Sequence, residues 1–164
     1  MRRKEKEITD QKEIEQILKE ALVCHLGMFD GKTPYIVPMN FGYRDNTLYF
    51  HSALVGRKID ILKKNPNVCF EIDIPGKTIN SEKACNWSMT FQSIMGEGKI
   101  QFIDEETDKI NALNIIMAHY SDKKEWDFNK KMMEKTLVFI VNISSISIKK
   151  SGLILSHSTL KSEL

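Results

Sequence analysis

Apolar and polar side chains alternate with a period of two residues in two separate stretches of the chain, and this alternation limits the choice of fold. Over 68–74, apolar residues occupy every second position. Over 137–148, they occupy odd positions at the start and even positions at the end. Such alternation is typical of strands with one face on a core and the other in water. The change of phase at Ser144 and Ser145 predicts a β-bulge, which lets one strand turn the corner of a barrel.

Turn signals separate the other β segments. Asp30–Gly31 is the dipeptide that a type I′ hairpin turn requires, and residues 44–46 predict a second turn. Pro34 and Pro38 lie in the strand between these two turns. Because proline has no N–H to donate, part of this strand is predicted to lack a hydrogen-bonded partner.

Two glycine-containing sites are predicted to interrupt strands. Pro75–Gly76 ends the strand over 68–74, and Gly96 and Gly98 break a longer β segment over 85–102. Glycine makes a bulge or a sharp bend inexpensive at such positions. Five methionines are interpreted as core residues because methionine fills irregular gaps; they are Met89, Met95, Met117, Met132 and Met133.

Apolar residues at helical spacing predict helices over 10–22, 56–65 and 104–120, with a shorter one over 129–134. Asp10 is placed to begin the first helix, with Glu13 as the return partner of a capping box. The six or seven strands are joined mostly by hairpins, and helices do not alternate regularly with them. This order favours a mainly β (α+β) fold, an antiparallel barrel with peripheral helices, over a doubly wound sheet.

Length and charge exclude several classes of protein. The chain has 164 residues, with 41% hydrophobic and 28% charged, which predicts one domain over 1–150 and a C-terminal tail over 151–164. A net charge of +2 disfavours nucleic-acid binding. No membrane span or secretory signal is visible, so a cytoplasmic location is expected. Three scattered cysteines predict neither a disulfide framework nor a metal site.

The residues that leave the third predicted strand and open a helix are suited to binding a phosphate. Ser52 supplies a hydroxyl, Gly56 begins the helix, and Arg57 and Lys58 supply positive charge. Phosphates bind where free N–H groups at a helix N-terminus meet such donors. A solvated loop with an Arg–Lys pair remains the alternative from these residues alone. His51 borders the loop, either as a structural residue or as a catalytic one.

Two further stretches combine aromatic surface with hydrogen-bonding groups. Residues 38–43 could stack a flat heteroaromatic ligand along a strand edge, or simply pack in the core. In the segment that begins at Trp87, polar residues alternate with apolar ones as far as Gln92. Ser93 then falls in phase with the apolar face, which indicates that its hydroxyl has a hydrogen-bond partner.

Together these stretches resemble the pyridoxamine-phosphate-oxidase-like flavoproteins, and most closely the nitroimidazole-resistance (nitroreductase-like) branch. The segments that carry the resemblance are Pro38–Tyr43, Leu48–Ala53, Gly56–Lys58, Asn65–Phe70 and Phe91–Gly98. The resemblance spans residues 8 to 150 and therefore covers the whole predicted domain. It implies a split β-barrel that forms a homodimer, with FMN in each of two clefts between the subunits.

The resemblance also implies a role for each residue of the site. The implied contacts are Ser52, Arg57 and Lys58 to the FMN phosphate, Met39, Asn40 and Phe41 along the flavin ring, and Trp87, Gln92 and Ser93 near the cofactor from this subunit or the other. His51 corresponds to a family histidine near the flavin, a candidate for substrate contact or proton delivery.

The implied activity is that of an FMN-dependent oxidoreductase. Reduced flavin would pass electrons to a small acceptor such as a nitroaromatic, with NADH or NADPH as the candidate reductant. The alternative is a non-catalytic sensor or carrier that holds flavin or haem, in which His51 or His25 would bind the iron. A barrel that has lost its cofactor is a third reading, against which the intact Ser52, Arg57 and Lys58 set counts.

Overall fold

The computed structural model describes residues 10–123 and 126–152, which contain four α-helices and seven strands. The helices are α1 (Gln11–Glu20), α2 (Arg57–Lys64), α3 (Glu106–Tyr120) and α4 (Lys130–Met133). The strands are β1 (Cys24–Phe29), β2 (Pro34–Met39), β3 (Gly42–Arg44), β4 (Thr47–Ala53), β5 (Asn67–Ile79), β6 (Ser88–Ile103) and β7 (Thr136–Ser151). Most of the predicted tail, from residue 153 onward, lies outside the described residues.

All seven strands form one antiparallel sheet in the order β2-β1-β5-β6-β7-β4-β3. The two edge strands, β2 and β3, are joined by Asn40 and Phe41 alone. Two residues span too short a distance to separate the edges, so the sheet curls until its edges adjoin. The predicted antiparallel split barrel with peripheral helices is therefore confirmed, and the edge position of β2 explains how it accommodates Pro34 and Pro38.

The predicted bulge in β7 is confirmed. The register of β6 against β7 shifts between Glu97 and Gly98, which leaves Ser144 as the extra residue. Its Oγ donates to the Glu97 carbonyl at 3.0 Å. β6 is not broken near Gly96 and Gly98, because the strand is continuous there, but the irregularity predicted at these glycines is present in its register with β7. A Cβ at Gly98 would lie 2.4 Å from the Asn142 carbonyl oxygen. Glycine here permits close approach of two strands rather than a bend.

The type I′ turn lies in a different hairpin from the one predicted. The β1–β2 connection is a four-residue loop, in which Asp30 Oδ1 accepts the N–H groups of Lys32 and Thr33 at 2.8 and 2.7 Å. Asp45 and Asn46, between β3 and β4, both have positive φ, at 50° and 57°. Local side-chain bonding by Asp30 stabilises the longer loop and so overrides the dipeptide signal.

Pro75–Gly76 does not end β5. The strand continues to Ile79 through an irregularity in its register with β6. At that point the Lys77 N–H donates to Thr90 Oγ1 at 2.8 Å, and Thr90 is buried. The Thr90 hydroxyl thus accepts a backbone N–H that has no regular ladder partner at this irregularity.

Two apolar clusters stabilise the barrel. The larger one fills its interior, where the Phe50 and Phe139 rings stack with centroids 5.3 Å apart and α1 packs on one side. The smaller one holds α3 against Val138 of β7. No helix within the described ranges is long and apolar enough to cross a membrane.

The first helix is capped, although not by the predicted capping box. Asp10 Oδ1 accepts the Lys12 N–H at 3.0 Å. Glu13 turns away from the cap and meets Lys150 Nζ at 2.6 Å. An ion pair with the last strand is available to Glu13 only in the folded chain, so a local pattern could not show it.

Candidate functional site

The junction between β4 and α2 presents an uncapped helix N-terminus. β4 buries Leu48 and Phe50 and then leaves the core. Gly56 precedes α2 with φ 130°, a conformation that side chains disfavour, and no side chain caps the helix there. The first N–H groups of α2 are therefore available to an anion, and the helix dipole favours negative charge at this end.

The two cations at this junction lie in different environments. The Arg57 guanidinium lies over the Tyr35 ring, 4.4 Å from its centroid, and 3.3 Å from Asp30 Oδ2. Lys58 Nζ lies 3.6 Å from Met39 Sδ. Burial holds the pKa of Lys58 below its ordinary value. A thioether is a weak acceptor, so the Lys58 ammonium is the group of this site most available to an anion.

Asp30 and Tyr35 are site residues that the sequence did not reveal. Hydrogen bonds from the backbone of Thr33 and Lys32 hold the pKa of Asp30 below its usual range, and Arg57 lowers it further. The carboxylate and the ring together fix the Arg57 side chain. No short motif carries this signal, because both residues come from a hairpin that the fold brings to α2.

His51 stands on the outer face of β4, close enough to Lys58 to be affected by its charge. Partial burial lowers the pKa of His51, and the positive charge of Lys58 lowers it further. The imidazole is therefore neutral at neutral pH and can both donate and accept a hydrogen bond.

The segment Met39–Phe41 offers different groups from those predicted. Met39 is buried beside Lys58, and Asn40 is exposed. The Phe41 ring is wholly buried, and its centroid lies 4.5 Å from that of the His119 ring. A ligand at this segment would therefore contact its backbone and Asn40 rather than the Phe41 ring.

Trp87, Gln92 and Ser93 do not join the other site residues within one chain. Along β7, Ser52 lies opposite Leu137, whereas Gln92 lies opposite Lys150 at the other end of the strand. Trp87 Nε1 donates to the Ser81 carbonyl at 2.6 Å. The structure thus brings Met39, His51, Ser52, Arg57 and Lys58 to one region and Gln92 and Ser93 to another.

The outer face of β6 is apolar and exposed around Ser93. Met89 and Met95 on this face are 47% and 55% exposed, while Thr90 and Ile94 face the interior. The prediction that Met89 and Met95 belong to the core is therefore wrong. Amino-acid type alone could not show which of the two faces of β6 meets the barrel interior.

A cavity of about 790 Å³ lies on the sheet face around Ile36 and Cys69, and none of the predicted site residues lines it. An adjoining cavity contains His25, whose Nδ1 lies 3.2 Å from Glu71 Oε2. Partial burial raises the pKa of Glu71, and the charge of Asp73 adds to the shift. One ligand atom from each of His25, Glu71 and Asp73 lies within 4.8 Å of the others.

The chain belongs to the pyridoxamine 5'-phosphate oxidase family, which it matches over residues 10–150. This match confirms the resemblance drawn from the motifs. A solved structure from Bacteroides thetaiotaomicron, that of a proposed 5-nitroimidazole antibiotic resistance protein, is 36% identical in sequence with a TM-score of 0.79. The alignment covers 88% of this chain and 86% of that one.

Two more distant structures share the fold. A flavocytochrome from Azotobacter vinelandii is 21% identical, with a TM-score of 0.81 and coverage of 99% of this chain and 78% of its own. An FAD- and haem-binding protein from Mycobacterium smegmatis is 14% identical, with a TM-score of 0.81 and coverage of 97% and 80%. No curated protein matches the chain.

Proposed function

We propose that this protein is an FMN-binding oxidoreductase that reduces a small acceptor such as a nitroaromatic, with NADH or NADPH as the reductant. The observation that carries the proposal is the uncapped N-terminus of α2 with the Lys58 ammonium beside it. Free N–H groups, the Ser52 hydroxyl and two cations are the donors that the phosphate of FMN needs. The 36% identity to the Bacteroides protein supports the nitroaromatic acceptor.

Different residues of the chain bind the phosphate and the ring of the cofactor. Lys58, Arg57 and Ser52 bind the phosphate, while Met39, Asn40 and the backbone of Phe41 lie along the ring. Bound flavin supplies the redox chemistry, and the protein contributes binding, orientation and local charge. His51, which is mostly neutral beside Lys58, hydrogen-bonds to the acceptor or relays to it a proton that the ring first takes up from water.

The proposed functional unit is a homodimer. Gln92 and Ser93 lie at the far end of β7 from Ser52, so they reach a flavin only in a second subunit. The exposed apolar face around Met95 gives that subunit a surface to cover.

The first test is a visible absorption spectrum of the purified protein and of the flavin released by heat, with chromatography to separate FMN from FAD. The variant Arg57→Ala/Lys58→Ala should lose at least about tenfold in FMN affinity, since each charge-assisted hydrogen bond contributes about 1.5–3 kcal/mol. Lys63→Ala/Lys64→Ala, which removes two exposed cations from the same helix, is the matched control. Unchanged flavin occupancy in the first variant would exclude the phosphate assignment.

The competing proposal is a non-catalytic haem or flavin carrier. It is favoured by the fold shared with the haem-binding proteins. Of the two histidines considered for iron, His51 is the better candidate because His25 is paired with Glu71. A Soret band in the same spectrum would favour the carrier. Released flavin together with turnover of a nitroaromatic would favour the oxidoreductase.

A further inference from the structure

Tyr120, the last residue of α3, joins two segments of chain that lie outside the strands. Its Oη accepts the Phe41 N–H at 2.9 Å and donates to the Leu22 carbonyl at 2.9 Å. Nε2 of the preceding residue, His119, lies within hydrogen-bonding distance of the Ala21 carbonyl oxygen, at 2.7 Å. The end of α3 therefore holds the α1–β1 linker and the β2–β3 linker together.

The β2–β3 linker and the first residue of β3 also pack directly on α3. A Cβ at Gly42 would lie 2.8 Å from the Ile115 carbonyl oxygen, so only glycine allows the backbone to approach this closely. The Phe41 ring lies 4.5 Å from the His119 ring. Backbone contact, ring contact and the Tyr120 hydrogen bond thus act on adjacent residues where the two edges of the sheet adjoin.

The hydrogen bond to Tyr120 fixes more than one atom. The Phe41 N–H and the Asn40 carbonyl belong to one planar trans peptide, in which they point in opposite directions. The Asn40 carbonyl is therefore directed away from Tyr120. Among the residues that the structure describes, no donor bonds to this carbonyl, and Asn40 is exposed.

We propose that Tyr120 is a positioning residue for the cofactor ring. By holding the Phe41 N–H, it orients the Asn40–Phe41 peptide and leaves the Asn40 carbonyl available to the imide N–H of a flavin. This inference rests on the proposed function, in which residues 39–41 lie along the ring. Tyr120 acts through the peptide and does not itself contact the cofactor.

The test is Tyr120→Phe, which removes the hydroxyl and keeps the ring. The variant and the wild type are titrated with FMN and with riboflavin, which has the same ring without the phosphate. Both affinities should fall about tenfold, as expected for one lost hydrogen bond. The visible circular dichroism of the flavin-saturated protein should also change. A merely structural role would lower the melting temperature and leave the spectrum at saturation unaltered.

Two controls separate this inference from the proposed function. Tyr43→Phe, at a half-buried tyrosine on β3, should change neither affinity. Lys58→Ala should weaken FMN binding far more than riboflavin binding, because it acts on the phosphate.

The outcomes that overturn the inference are distinct from those that overturn the function. Wild-type affinity and an unaltered spectrum in Tyr120→Phe would overturn the role of Tyr120 alone. A wild-type protein that binds neither FMN nor riboflavin would overturn the proposed function, and the positioning role with it.

Discussion

At the scale of single residues, Lys58 shows a conflict between stability and binding. Its ammonium is partly removed from water, which lowers its pKa, and its nearest polar partner is the thioether of Met39. Such a charge costs free energy in the free protein and becomes favourable only when an anion arrives. Residues at binding sites commonly carry a cost of this kind.

Lys58→Met should therefore stabilise the cofactor-free protein. The variant keeps the apolar stem and removes the half-buried charge, for a gain of about 0.5 kcal/mol in the free energy of unfolding. The folded pKa of Lys58 lies below the unfolded one, so the gain is full below the folded value and disappears as pH rises through the unfolded value. Urea denaturation at pH 7 and at alkaline pH measures both effects.

The matched control is Lys63→Met, at an exposed position in the last turn of the same helix. A cation there interacts favourably with the helix dipole, so this substitution should slightly lower stability. A Lys58→Met protein less stable than the wild type would contradict the argument.

His51 should respond to the same substitution. Burial is the larger cause of its lowered pKa, and the charge of Lys58 is the smaller one. Lys58→Met should thus raise the pKa of His51 part of the way toward its ordinary value of about 6.5. An NMR titration of the imidazole protons measures the shift, which Lys63→Met should not produce. An unchanged pKa in Lys58→Met would show that the two side chains do not interact.

At the scale of elements, the sequence predicted correctly those features that depend on residues close together in the chain. The bulge at Ser144 followed from a change of phase within β7, and α2 lies within the predicted range of 56–65. The type I′ turn was assigned to the wrong hairpin because Asp30 bonds its own loop. β6 was predicted to break at Gly98 because a glycine that bends a strand and one that admits a neighbouring strand look alike in sequence.

Gly98 therefore tests the close approach of β6 and β7. Gly98→Ala places a Cβ 2.4 Å from the Asn142 carbonyl oxygen and 2.6 Å from Val141 Cγ1. The resulting strand separation should lower the free energy of unfolding by about 1–3 kcal/mol, measured by urea denaturation. Lys99→Ala, at the exposed neighbouring position, should stay within about 0.5 kcal/mol of the wild type. Equal stability of both variants would show that β6 and β7 can accommodate a methyl group at position 98.

At the scale of the whole molecule, the candidate site depends on distances that no local pattern contains. The sequence placed Ser52, Arg57 and Lys58 together because they are neighbours in the chain. It could not show that Tyr35 stacks on Arg57, or that Gln92 lies at the opposite end of β7 from Ser52. Those relations arise from strand order and register, which form only when the sheet closes.

The proposed dimer can be tested on its apolar face. Met95→Lys places a cation opposite Glu71 across β5 and β6. In the isolated subunit this cation can pair with Glu71, whereas burying it between two subunits is unfavourable. Sedimentation velocity should give two chains for the wild type and a shift toward one chain for the variant. FMN affinity should fall with it, because Gln92 and Ser93 of the partner are lost.

Met95→Leu keeps the apolar surface and should behave as the wild type in both measurements. A wild type that sediments as a single chain would exclude the dimer. A dimer of unaltered stability in Met95→Lys would place the interface elsewhere on the molecule.

The order of strands in the sheet also bears on how the protein is made. β7 is the last of the described strands but lies between β6 and β4, so among the described strands it provides the hydrogen-bonded connection from the β3–β4 hairpin to the rest of the sheet. Until β7 emerges from the ribosome, β4 and β6 each expose an edge without the neighbour it has in the native sheet. Closure of the barrel must therefore follow synthesis of nearly all the described chain. A nascent chain halted before residue 136 would be a natural client for chaperones that shield unpaired strands.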